Sequence, residues 1–491
     1  MIDTLALRER IFEAAMLGLL SEQREDDGDI ADLLESIEAT RLELQKAKAI
    51  KKPKAMPPIT PDEIPFDFPP SWKLVRLSDV AWFGGGHTPS MSDASNFCDG
   101  GTLWVTSKDM KVDRLTSTQI TLTEKGASTL TKYPAGTVLM VTRSGILRRK
   151  LPVAILEREA TVNQDQKAIV PFEPDMAEWL FVYLKACDSY IRHNFGKTGA
   201  TVESVVFDRV KELPIAIPTL AEQKRIVGRV EELLAQIGVI DEAQRDYMNG
   251  IHALRTKIFE AAMLGLLSEQ REDDGDIADL LESIEATRLE LQKAKVIKKT
   301  KPFPPINRSE TPFEIPENWE WVHLGDLYAL SNGTASRGSA GGSPRPVLRL
   351  ADLTGDSINV GDVREIALTD KEYATHTVDK DDLIIIRVNG SKSKVASFFV
   401  FPDAQSMSYC DHLFCAKSFS GMVDPAYIAL VCRTDLVRMQ VDPLIKTTAG
   451  QNTISQGNLG KTIIPLPPLA EQKRIVERVN NLLQALPDSE N

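Results

Sequence analysis

The sequence predicts a mixed α/β protein of the α+β kind. Two globular domains are separated by long antiparallel coiled-coil helices in a pseudo-two-fold, circular arrangement. Three observations lead there. Residues 11–48 recur without a change at 258–295, an offset of 247, and an internal repeat constrains the fold before any other feature does. Between the repeats lie short apolar runs bounded by turn residues, as strands are, with a longer helical run in each half. Through the middle of the chain, apolar residues alternate steps of four and three, the spacing of a left-handed coiled coil.

The chain opens on MIDTLALRERIFEAAMLGLL. Glu13 interrupts its apolar stretch and no small-residue cleavage site precedes SEQRED, so the segment reads as a helix and not a signal peptide. A second helix follows, started by Asp29 in one copy and Asp276 in the other, residues suited to an N-cap. In the second copy Ile277, Leu280, Leu281, Ile284 and Leu291 form its apolar stripe. Basic, Pro-bearing linkers, KAKAIKKPK and KAKVIKKTKPFPPINRSE, lead into each globule. In the first globule TLWVTS, GTVLMVTR, LPVAIL and KAIVPF read as strands and MAEWLFVYLKACDSYIRHNF as helix. In the second, RPVLRLADL, DDLIIIRVNG, KVASFFVF and HLFCAKSF read as strands and PAYIALVCRTDLVRMQVDPLI as helix.

Each globule closes on the same phrase, LAEQKRIVGRV at 220–230 and LAEQKRIVERV at 469–479. The seam that follows the first runs Ile226, Val230, Leu233, Ile237, Ile240, Gln244, Tyr247, Ile251, Leu254, Ile258 and Ala261, about 54 Å at about 1.5 Å per residue. Gln244 is its one polar member, either a register device or a tolerated polar position. The central region holds this frame entire, whereas the ends hold its two halves, at 7–54 and 469–486. Joining the termini would rebuild a second frame, which implies that the two ends lie close together. The expected domains are 1–54 (helical), 55–219 (globule), 220–301 (central coiled coil), 302–468 (globule) and 469–491 (C-terminal helix).

Composition is that of an ordinary folded protein, with 42% hydrophobic and 26% charged residues among 491. No run approaches 18 apolar residues, so no membrane helix is expected. Five cysteines at irregular spacing suggest reduced thiols and a cytoplasmic home. The net charge of −12 discourages a nucleic-acid partner until its placement is considered. Residues 21–38 hold eight acids and one base, while 55–219 hold 18 basic and 19 acidic groups and 302–468 hold 15 and 19. The globules are nearly neutral, which leaves DNA binding open.

No catalytic pattern survives inspection. There is no GxxxxGK[ST] phosphate loop. Phe83-Gly84-Gly85-Gly86 lacks the glycine and helix start that a methyl-donor loop needs. Asp67-Phe68-Pro69-Pro70 resembles an amino-methyltransferase signature split by a phenylalanine, and Asp241-Glu242-Ala243-Gln244 lies within the heptad seam. Cys410 and His412, with Cys415, lack a second pair at zinc-like spacing, so no metal site is expected. The six histidines (His87, His193, His252, His323, His376 and His412) form no triad.

Two variable globules, each opened by a Trp after a Pro-rich linker and closed by the LAEQKRIV phrase before a long helix, resemble the specificity subunit of a type I restriction–modification enzyme. The resemblance covers essentially the whole chain. It rests on Trp72, Gly86-His87-Thr88-Pro89, Gly199, Gly450, Pro218, Leu220 to Val227 and Pro467 to Val476. It implies that each globule is a target recognition domain reading half of a split DNA site, that the helices act as a ruler, and that the chain itself has no catalysis. Implied partners are double-stranded DNA, two methyltransferase subunits using S-adenosylmethionine, and two motor–nuclease (restriction) subunits using ATP with Mg. The long N-terminal frame copy departs from relatives that begin almost directly with the first domain. The alternative class is a coiled-coil scaffold that binds proteins only.

Base reading needs long donors on loops, because Arg and Lys pair with guanine and Asn and Gln with adenine. In the first globule VTRSGILRRK offers Arg143, Ser144, Arg148, Arg149 and Lys150, with Lys108, His87 and Lys197 as further candidates. In the second, RVNGSKSK offers Arg387, Asn389, Lys392 and Lys394, with Arg345, Arg349 and Lys446 secondary. Tyr183, Tyr190 and Phe195 read as helix core. Glu222, Gln223, Lys224 and Arg225, with Glu471, Gln472, Lys473 and Arg474, are expected to contact the partner subunit, other frame helices or solvent, and their repetition favours interaction. The acidic strips 22–29 and 269–276 are either exposed or face a basic partner.

Overall fold

A computed structural model of the chain describes all residues except 53–55, 198–202, 300, 308, 310, 403–404 and 488–491. The chain divides into two compact units, Met1–Arg245 and Asp246–Asn491, and the division falls inside one continuous helix.

In the first unit α1 (Thr4–Met16) begins on Asp3, whose carboxylate accepts from the Ala6 N–H. It ends in a reversed turn in which Leu17 and Leu19 donate to the carbonyls of Glu13 and Ala14. Gly18 makes that turn at φ +68°, and a β-carbon there would lie 2.5 Å from Pro69. Conformation and space both call for glycine. Next, α2 (Ile30–Lys46) starts on Asp29, which accepts from the Ala31 N–H. The expected helix over 176–195 is two, α3 (Ala177–Ala186) and α4 (Asp188–Phe195), broken at Cys187. Finally α5 (Leu220–Met263) runs 44 residues, about 66 Å. Over its first half α1 runs antiparallel to it: Ile2 meets Gln244, Arg8 meets Asp241 at 2.6 Å and Ser21 meets Glu222 at 3.2 Å.

The four runs expected as strands in this globule form strands. A five-stranded sheet orders Ala81–Gly85, Gln166–Pro171, Val138–Val141, Val153–Leu156 and Arg114–Leu115. A three-stranded sheet pairs Phe97–Val105 with Thr121–Leu122 and Ala160–Val162. Lys73–Arg76 pairs with Pro214–Ile217, so the globule's entry and exit strands are zipped together. One core joins frame and globule, running from Ala15, Met16 and Ile37 through Trp72 and Trp179 to Ile226 and Val230. Tyr183 and Phe195 are buried in it, and Tyr190 packs against it, so these aromatics are core as expected.

The second unit repeats the plan. Gly265, at φ +70°, meets Pro316 as Gly18 meets Pro69, and α6 (Ile277–Lys293) starts on Asp276. Tyr328–Asn332, Leu413–Ser418, Leu383–Ile386 and Phe398–Val400 form one sheet. Glu365–Leu368, Ser343–Leu348, Met407–Tyr409 and Thr377–Val378 form another, and Glu320–His323 pairs with Ile463–Leu466. The helical run is again split, into α7 (Pro425–Val431) and α8 (Asp435–Val441), before α9 (Leu469–Gln484).

The expected heptad seam of α5 holds as far as Gln244 and then shifts. Tyr247 and Leu254 are 53% and 52% exposed, while Met248, Ile251 and Arg255 take the inward line. An extra four-residue step of this kind is a stutter, which locally unwinds a coiled coil. Its cause is a change of neighbour. The first half of α5 faces α1, and the second half approaches the end of α9, where Arg255 donates to the Pro487 carbonyl at 3.0 Å.

Candidate nucleic-acid interface

Each globule builds a face from a loop and a hairpin that are far apart in sequence. In the first, the strand Val138–Val141 runs into the loop 142–150. Ser144 donates its N–H to the Glu203 carbonyl at 3.1 Å, Val205 donates to Thr142 at 2.8 Å, and Arg143 bridges to Ser204. The hairpin Gly196–Lys197 with Ser204–Val205 therefore lies against the loop, which brings Lys197 to the same face as Arg143. Within the loop, Gly145–Arg148 forms a single tight turn whose Leu147 is buried as a pin. Arg143, Arg149 and Lys150 are exposed and have no ion-pair partner among the described residues. Arg148 donates its Nε to Glu203 at 3.0 Å, and its side chain stays 62% exposed, with the remaining guanidinium N–H groups still to donate.

In the second globule the same face is a three-stranded ribbon of Val388–Asn389, Gln451–Thr453 and Lys446–Thr448. Ala449 and Gly450, at φ +48° and +78°, make its two-residue turn, as a tight hairpin requires. Asn452 fastens hairpin to loop. Its amide donates to the Asn389 and Gly390 carbonyls at 3.3 and 2.9 Å and its oxygen accepts from Thr447 at 2.7 Å. Asn389 in turn accepts from the Ser391 N–H at 2.9 Å, and Lys392–Lys394 form an exposed turn. Lys392, Lys394 and Lys446 are exposed without ion-pair partners among the described residues. Arg387 is half-buried; its Nη1 donates to the Asp411 carbonyl at 3.0 Å and its guanidinium lies over the Phe414 ring.

The remaining sequence candidates make no bond to these faces among the described residues. His87 is exposed beside Thr129 at 3.3 Å, and Lys108 sits on a turn fastened by Thr106 and Asp109. Arg345 pairs with Asp370 at 3.1 Å and covers the Tyr373 ring. Arg349 closes its own turn on Asp352 at 3.0 Å. Both arginines hold local structure. Gly199 lies outside the described residues. Residue types alone did not reveal Glu203, Asn452, Asp188 or Arg438, whose roles depend on contacts across the fold.

Of the alternatives open for the frame residues, contact with other frame segments is the one made by Glu222, Arg225, Glu471 and Arg474. Glu222, Gln223, Glu471 and Gln472 are buried and hold their own unit together, so they offer no surface to a partner. Gln223 and Gln472 each donate to a proline carbonyl, of Pro218 and Pro467, at 2.8 Å. Glu471 accepts from the Trp319 indole at 2.9 Å, from Ser268 at 2.7 Å and from Gln270 at 2.9 Å. Trp72 makes no such bond, though it lies near enough to Glu222 to favour the charged carboxylate, whose pKa burial nonetheless raises. Arg225 grips Asp27 at 2.6 and 2.5 Å, and Arg474 grips Asp274 at the same two distances. Both aspartates are held below the usual carboxylate range by their arginines, so each acidic strip has an internal anchor. Lys224, by contrast, is exposed and pairs with Asp175 at 2.7 Å; Lys473 is exposed.

Cys410, Asp411 and His412 could each offer a ligand atom, all within 4.8 Å of one another. Arg337 approaches the same Asp411 carboxylate at 3.6 Å and burial pushes the Cys410 thiol pKa up, both unfavourable to a cation. No helix of the described residues is long and apolar enough to cross a membrane.

Two dissimilar basic faces, each mounted on the same scaffold, define a two-headed recognition protein. The chain belongs to the family described as "Type I restriction modification DNA specificity domain", which matches residues 69–244 and 316–490. It is 24% identical over 535 residues to the type I restriction enzyme EcoAI specificity subunit of Escherichia coli, covering 97% of this chain and 88% of the relative. To the EcoEI specificity subunit of the same species it is 23% identical over 534 residues, covering 97% and 89%. A solved structure described as "Structural basis underlying complex assembly and conformational transition of the type I R-M system" matches over 86% of this chain and 92% of its own. Its TM-score is 0.53 at 19% identity, a likeness of fold. The chain is thus a DNA specificity subunit, the recognition part of a type I restriction–modification enzyme and not its catalytic part.

Proposed function

We propose that each head reads one half of a bipartite duplex target and that the helical frames hold the heads at a set separation. The observation that carries this reading is the recurrence of one loop-and-hairpin face, with unpaired cations on its rim, in two globules whose sequences otherwise differ. Half-site spacing then follows from protein geometry. The exposed cations hold the backbone, and a subset reads base edges. The repeated frames dock two methyltransferase subunits through their exposed surfaces, and two restriction subunits complete the assembly. S-adenosylmethionine and ATP with Mg enter through those partners, and the complex works in the cytoplasm. Replacing residues 55–219 with the matching segment of a relative, and mapping methylated sites in cells carrying the whole system, tests the reading. One half of the target changes and the other stays; a change in both halves would contradict it.

A further inference from the structure

Behind each reading loop stands a short helix that the sequence marks only as core, and one polar side chain from that helix reaches the loop backbone. In the second unit this is Arg438 of α8. Its Nη1 donates to the Val395 carbonyl at 2.6 Å and its Nη2 reaches the Lys392 carbonyl at 3.4 Å, while Asp442, one turn on, holds the same guanidinium. The two carbonyls bracket the turn that displays Lys392 and Lys394. The Arg438 side chain is 21% exposed and reaches the inner side of that turn. Ala396, next in the chain, adopts φ +62° and is buried, so the turn leaves the face by an unusual backbone step. In the first unit the polarity is reversed. Asp188 of α4 accepts from the Leu151 N–H at 3.1 Å, directly after Lys150, and is itself held by Arg192.

We infer that Arg438 is a positioning residue for recognition of the second half-target, fixing the turn of Lys392 and Lys394 without touching DNA, and that Asp188 does the same for the first. The inference rests on the reading of the heads proposed above and adds to it a determinant of specificity placed behind the face. A fork that spans two carbonyls sets the turn's orientation as well as its position, and a lysine ammonium cannot replace it at two points. Loosening such a support lets the same side chains reach several base patterns, so discrimination falls while the number of phosphate contacts stays the same.

The test uses the complete system in cells, with wild-type methylation as the reference pattern. In R438K, discrimination between the cognate base and its alternatives drops about tenfold in the second half-target. The first half is unchanged, and so is the salt dependence of binding to a duplex carrying the mapped target. D442N, which loosens the guanidinium and leaves the turn untouched, shifts the same half in the same direction by less. D188A relaxes the first half only. Unchanged second-half discrimination in R438K and D442N, where K392A/K394A alters it, overturns the inference and leaves the reading of the face standing. If K392A/K394A has no effect either, the face itself is wrongly assigned.

Discussion

Arg225 and Arg474 occupy equivalent places in the two units and make the same contacts: a two-pronged grip on Asp27 or Asp274, and a bond at 2.9 Å to the carbonyl of Glu22 or Glu269. The reading faces show no such agreement. One is tied to its hairpin by an Arg148–Glu203 ion pair and to its helix by the Asp188 carboxylate; the other uses the Asn452 amide and the Arg438 guanidinium. The frame must present one geometry twice and keeps its atoms, whereas a head has only to hold a loop at the end of a strand. Several chemistries do that equally well. Between these extremes lies the linker clasp. Arg76 donates to the carbonyls of Pro57, Pro58 and Glu212 at 3.1, 3.1 and 2.6 Å. At the equivalent place both ring nitrogens of His323 face carbonyls, of Pro304 at 3.1 Å and Lys461 at 2.9 Å.

The largest effect expected from this comparison is at the buried glutamates. Glu471→Ala removes the acceptor of the Trp319 indole, the Ser268 hydroxyl and the Asn318 amide and costs about 3 kcal/mol. Glu222→Ala, with Ser21 as its hydrogen-bonded partner, costs about half as much. Urea unfolding followed by tryptophan fluorescence measures both, and equal losses would mean that the Trp319 bond contributes nothing. Gly18→Ala and Gly265→Ala follow, each destabilising by about 1–2 kcal/mol through positive φ and proline contact. Here the two units should agree, and a clear difference in denaturation midpoint would break the equivalence of the frames.

The smallest effects are expected at the two linker clasps. Arg76 holds the Glu63 carboxyl down to about 2. A depressed carboxylate adds stability that is full above its unfolded value, about 4, and is lost as pH falls toward 2. His323 closes the second clasp with one ring set between two carbonyls. His323→Ala should open it and cost about 1 kcal/mol, while H323R, which copies Arg76, should keep it closed. Thermal melting checks both, and an unchanged midpoint in His323→Ala would show that this clasp adds nothing.

Much of the architecture was legible in the sequence because repetition is visible without coordinates and strand runs such as GTVLMVTR are long enough to be unambiguous. The breaks at Cys187 and at 432–434 were not, since neither carries glycine or proline and each is set by packing. The stutter after Gln244 was hidden for a related reason: Tyr247 and Leu254 satisfy the heptad by residue type, and a change of partner helix decides which face is inward. The loops of the proposed faces stand out in the sequence as clustered cations after strands. Their supports do not, because Glu203, Asn452, Asp188 and Arg438 are ordinary polar residues until the chain brings them to a loop far away in sequence. EQKR left three alternatives open by residue type, and only the fold shows that its glutamate and arginine latch the frame internally.

The claim that two independent readers share one scaffold is tested most directly by methylation mapping with R143A/R149A and K392A/K394A placed separately in the intact system. Each pair should weaken or relax one half of the target, a different half for each, while the spacing between halves stays fixed. Loss of selectivity in both halves from either pair, or an altered spacing, would contradict the account.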